Sequence, residues 1–188
     1  MNRSYDVLHF AGHCTFDATN AARSGWIFTG DERLSANELR RVDRIPKFIF
    51  SNACESGVTP EERGHRNVDL APGFAEAFFE RGVANFVCTA WPVEDDAALR
   101  FALRLYATLL GVPIDGDPAG SEPKPMHAAM REARRELAVT SGVRTWGAYQ
   151  HYGNPHFRFF EPSRWTSSAS ADAANAPRSR RRRSRTRR

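Results

Sequence analysis

Three apolar runs of strand length, YDVLHF (5–10), FIFSN (48–52) and ANFVCTAW (84–91), alternate with segments whose apolar residues recur at helical spacing. The second, opening on the unbroken Phe48, Ile49 and Phe50, leaves no polar face for water, so it must be covered on both sides, as in a mostly parallel sheet. The covering segments are visible. GFAEAFFER (73–81) puts Phe74, Ala77 and Phe78 on one helical face before Gly82 ends it. Residues 95–110 carry Leu99, Ala102, Leu103 and Tyr106, and 126–137 read as a basic and acidic amphipathic helix. Between the first two runs, GWIFT (25–29), GDE and RLS predict a short hairpin with a Gly-Asp turn. Ser35 and Glu38 form an S-x-x-E capping box that opens a short helix through Arg41, and Pro46 stops it. Residues 58–70, polar and broken by Pro60 and Gly64, read as a mobile loop; WGAYQHYG (146–153) is a last strand. This alternation predicts an α/β chain with a largely parallel sheet.

Composition limits what that sheet belongs to. With 188 residues, 41% of them hydrophobic, the chain is long enough for one domain with a real core. No run of about 18 apolar residues predicts a membrane span. The N-terminus MNRSYDVLHF lacks the apolar region of a secretory signal, so the cytoplasm is the expected compartment. There Cys14, Cys54 and Cys88 stay reduced, and none forms a C-x-x-C pair for zinc or redox work. The net charge of +5 resides in the last residues: RSRRRRSRTRR (178–188) holds eight arginines, leaving 19 basic against 22 acidic residues elsewhere. Residues 166–177, TSSASADAANAP, have nothing to bury. The expected division is a folded domain over 1–165 and a disordered linker with an Arg-rich tail over 166–188. The tail suits phosphate neutralisation on nucleic acid or an acidic membrane. A solvated extension reads equally well, because arginine outnumbers lysine 25 to 2 across the chain.

In open α/β sheets chemistry collects beyond the carboxyl ends of the strands. Two reactive residues stand at such ends: His13 in AGHC, after the first run, and Cys54 in NACESG, after the second. Adjacent parallel strands would bring them side by side, where an imidazole can draw off the thiol proton, stabilise the thiolate and later protonate a leaving amine. Alone, each residue is more often ordinary core or loop material; the pairing is what carries weight. Gly12 and Ala53 would let backbone approach a bound peptide, and the amides of Cys14 and Cys54 could face a developing oxyanion. Gly57 would turn the chain away from the site. The remaining histidines, His65, His127, His151 and His156, show no metal spacing, and no GxGxxG or GxxxxGK[ST] motif occurs, so the sequence names neither metal nor cofactor.

DVLHFAGHC, FIFSNACESG, GFAEAFFERGVANFVCTAWPVEDDAA and WGAYQHYGNP, in that order, resemble the signature blocks of the CHAT domain, a caspase-like branch of the cysteine peptidase clan of caspases, separase and gingipains. The resemblance spans roughly residues 5–157. It implies a caspase-like three-layer α/β sandwich, a cysteine endopeptidase activity and a dyad of His13 with Cys54 as nucleophile, His9 being structural. Two departures stand out: Cys14 occupies the place where the family commonly has glycine, and the strands that usually precede the histidine strand are missing, so the chain is expected to be N-terminally truncated or completed by another polypeptide. The resemblance also implies that an acid of WPVEDDAA, Asp95 first and Glu94 or Asp96 otherwise, lines a primary pocket for arginine or lysine; the competing reading is that these acids only favour a helix start. Expected partners are a protein or peptide substrate and a separate sensor or regulator protein. Two other functions stay open: an inactive CHAT-like interaction module of a bacterial signalling or defence system, and a nucleic-acid or membrane protein driven by its tail.

Overall fold

The hairpin after the first strand lengthens that strand. In a computed structural model, which describes residues 5–15, 25–39, 41–42, 44–54, 76–114, 122–140 and 145–160, β1 (Val7–Thr15) runs five residues past Phe10. Its last three residues pair antiparallel with β2 (Gly25–Ile27), which pairs in turn with β3 (Arg33–Ser35). Gly30, at φ 81°, turns the chain between β2 and β3 within the 3-10 turn Thr29–Asp31. Ser35 then opens α1 (Ala36–Leu39), and the expected capping box forms on both sides. The Ser35 amide and hydroxyl donate to Glu38 Oε2 at 2.7 and 2.9 Å, and the Glu38 amide returns a bond to Ser35 Oγ at 3.3 Å.

The apolar runs form the middle of a six-stranded sheet of order β3-β2-β1-β4-β5-β6. β4 (Phe48–Cys54) lies parallel between β1 and β5 (Asn85–Thr89), and β6 (Tyr149–Gly153) closes the far edge antiparallel to β5. The sheet is therefore mixed: parallel where the continuous apolar runs lie, antiparallel at both flanks. Among the described residues, the edge of β1 from Val7 to Gly12 that faces away from β4 pairs with no strand.

Both faces are covered, as the unbroken run requires. Val7, Phe48, Phe50 and Val87 face α3 (Asp95–Leu110) and α4 (Met126–Thr140), where Phe101, Leu105 and Leu109 interlock with Met126, Ala129, Ala133 and Leu137. The alanines of α4 let the two helices approach closely, and an ion pair of Arg104 with Glu136 at 3.1 Å bridges them. Gly111, at φ 70°, supplies the left-handed cap that ends α3. On the opposite face Ile49, Phe86 and Cys88 meet Phe78, from the helical residues 76–80 (α2), and Trp26 from the hairpin. Trp26 Nε1–H donates to Ser51 Oγ at 2.9 Å, which satisfies a hydroxyl buried inside a central strand. The loop expected over 58–70, Gly57, His65, and the linker and tail over 166–188 lie outside the described residues.

Candidate active site

Strand register brings the two reactive positions together. β1 and β4 are parallel neighbours, and His13 is the partner of Cys54, the last residue of β4. Neighbouring strands run about 4.8 Å apart, so the two backbone positions lie side by side. Position 54 has the parity of Phe48, Phe50 and Asn52, and His13 that of Val7, His9 and Ala11, so both positions belong to the set on the α3 side.

On that side a cavity of about 500 Å³ opens beside exposed His13. Ala11, His13 and Asn52 line it from the sheet; Val93, Asp95 and Leu99 line it from the start of α3. The three acids of WPVEDDAA have separate fates. Glu94 takes the extended N-cap position without a side-chain cap bond, and Asp96 pairs with Arg100 one turn on at 2.9 Å. Asp95 is exposed, lines the cavity with His13, and makes no hydrogen bond or ion pair among the described residues. Asp95 and Asp96 both lie in the first turn of α3, where a carboxylate also suits the helix dipole.

His9 differs from His13. Its ring stacks on Phe50 at 4.6 Å and 15° and leans on Tyr106, and the burial that results lowers its pKa, favouring the neutral imidazole. The other two thiols are withdrawn from solvent. Cys88 lies in the core of the α2 face, where burial and the neighbouring Cys14 push its pKa up to about 12. Cys14 is buried in the same core. Its amide belongs to β1, opposite Trp26 in the ladder with β2, rather than to a loop after the strand. Gly12 also has a packing reason: a Cβ there would come within 2.9 Å of the Phe10 ring, which stacks on Trp26 at 4.5 Å.

Two groups to which the sequence assigned no role complete the surroundings. The Thr89 hydroxyl donates to the Ala53 carbonyl at 3.0 Å, and Cys14 Sγ approaches the same oxygen at 3.9 Å. In a planar trans peptide this turns the amide of Cys54 the opposite way. Asn52 Oδ1 accepts the Tyr149 hydroxyl at 3.1 Å; Tyr149 is itself stacked on Phe101 at 3.5 Å and 4°. Asn52 sits two positions before Cys54, a spacing that strand periodicity alone could have flagged.

Among the described residues no three His, Cys, Asp or Glu side chains gather as metal ligands, and no helix is long and apolar enough to cross a membrane. A family model for the CHAT domain matches residues 1–167. No curated protein matches the chain.

Proposed function

The chain belongs to the CHAT domain family, and on that premise we propose that it is a cysteine endopeptidase with a caspase-like layered fold, using Cys54 and His13 and cleaving after arginine or lysine. The observation that carries this reading is the register pair of His13 with Cys54, together with a cavity that His13 and Asp95 both line. The Cys54 thiolate, its proton taken by His13, adds to the scissile carbonyl carbon. The negative charge moves to the carbonyl oxygen, for which the amide of Cys54 is a candidate donor. When the intermediate collapses the C–N bond breaks, the amine departs with the proton from the His13 imidazolium, and a thioester remains on Cys54. Water then adds to the thioester carbonyl, gives its proton to His13, and the carboxylic acid and thiol are released.

An unpartnered carboxylate at a cavity wall suits a guanidinium or ammonium, since the pair is charge-assisted and an arginine can bind it bidentately. Glu94 and Asp96 contribute less to this selection, the first because it only begins the helix and the second because Arg100 already holds it. The reading is tested with fluorogenic peptides bearing arginine, lysine, leucine or aspartate before the cleaved bond. Wild type should cleave the basic pair. Cys54→Ala should abolish turnover, and His13→Ala should lower it by about 10²- to 10⁴-fold. Asp95→Ala should lower kcat/KM for the basic peptides while leaving the neutral one nearly unchanged. Hydrolysis of none of them would favour an interaction module, and a preference for aspartate would overturn the basic pocket.

A further inference from the structure

The helix α4 has a second face that the peptidase reading leaves unused. His127, Arg131, Arg134 and Arg135 recur at helical spacing and point into a cavity of about 590 Å³, closed on the other side by Trp146 and by His151 of β6. Its described lining contains no carboxylate. The two acids of α4 are engaged elsewhere or at the rim: Glu136 bridges to Arg104 on α3, and Glu132 reaches Arg131 only at 3.6 Å. Arg135 has no ion-pair partner among the described residues. Arg134 is half-buried; its Nη2 donates to the Tyr149 carbonyl at 2.6 Å, while its Nε is buried with no hydrogen-bond partner.

An arginine that loses hydration without meeting a counter-charge is costly, and burial lowers the pKa of Arg134. Burial, and to a lesser degree the same cation, push the pKa of His151 down to about 4, and its Nε2–H donates to Asn85 Oδ1 at 2.9 Å, so this ring is neutral near pH 7. His127 donates from Nδ1 to the Pro155 carbonyl at 2.9 Å. The cavity thus holds three permanent cations, a concave wall and an exposed indole, Trp146 being 44% accessible. Its volume lies in the range of small-ligand sites, about 300–1,000 Å³. Guanidinium groups match phosphate oxygens in paired hydrogen bonds, and an open indole face accepts a planar ring.

We propose that this cavity binds a nucleotide-type ligand, its phosphates on Arg131, Arg134 and Arg135 and its base against Trp146. This inference does not depend on the peptidase reading. The full-length chain is titrated with ATP, inorganic triphosphate and adenosine, by calorimetry and by tryptophan fluorescence. ATP should bind most tightly and quench fluorescence. The exposed-face variant Arg131→Ala/Arg135→Ala, compared at unchanged melting temperature, should weaken ATP by at least about tenfold. Trp146→Phe should bind but lose the quench. The Arg-rich tail is common to all these proteins, so the comparison isolates the cavity. Failure of ATP to bind, or equal affinity of wild type and the double variant, would overturn the proposal. Triphosphate binding as tightly as ATP would overturn the assignment of the base to Trp146.

Discussion

At the scale of single residues, the account rests on what orients Cys54 rather than on Cys54 alone. The Ala53 carbonyl, held by Thr89 at 3.0 Å, fixes the peptide whose amide is the candidate oxyanion donor. In the proposed mechanism Thr89 touches no reacting atom and would act as a positioning residue. Thr89→Val should lower kcat by about 10-fold or more with KM little changed, because loss of an oxyanion donor's aim is felt in the transition state. Thr89→Ser should restore most of it, which a purely structural role for the β-branched side chain would not predict. His9 should act the other way: His9→Ala removes a stacked ring from the α3-side core and should lower the melting temperature more than turnover per folded molecule. His13 and Cys54 stood out in the sequence because reactive side chain types are scarce at strand ends, whereas Asp95 was singled out among three neighbouring acids only through the family resemblance. Thr89 did not stand out, because its partner lies 36 residues away along the chain and only strand order brings the two near; the spacing of Asn52 from Cys54 was legible, but its bond to Tyr149, 97 residues on, was not.

Elements were legible where the signal is local. The capping box at Ser35 and Glu38 is a four-residue pattern, and it forms as written. The three apolar runs became the parallel centre of the sheet for the same reason: their composition states how they are covered. The end of β1 was not legible, because Ala11–Gly12–His13 has no strand composition and is held extended by pairing, with β4 along its length and with the hairpin from His13 onward. The hairpin of β2 and β3 was legible from its turn, but its antiparallel pairing with β1 and the antiparallel sense of β6 were beyond a reading that saw alternation alone. At the last edge Gly153 closes β6 at φ 130°, and a Cβ there would lie 2.3 Å from the Ala84 carbonyl oxygen. Gly153→Ala should therefore destabilise the protein by about 1–3 kcal/mol, measured by denaturant unfolding. A stability change within about 0.5 kcal/mol would mean that this edge is not closed as described.

On the scale of the whole molecule, one sheet separates two cores, and a half-buried histidine on its last strand makes stability depend on pH. His151 is held neutral, with its folded pKa near 4 and an ordinary value of 6.5. Between those values the unfolded chain binds the extra proton, so stability is fully present above 6.5 and is lost as pH falls toward 4. His151→Gln should flatten that part of the stability profile relative to wild type, while an unchanged slope would place the loss on other groups. Cys14 and Cys88 are both buried in the α2-side core, whereas position 54, at the end of β4, is the register partner of exposed His13. The most direct measurement is covalent labelling by a peptidyl electrophile carrying arginine at its reactive end, read by intact mass and peptide mapping. The account predicts one adduct, on Cys54, in wild type and Cys88→Ala, strong slowing in His13→Ala and no adduct in Cys54→Ala. An adduct that persists in Cys54→Ala, or maps to Cys14 or Cys88, would contradict it.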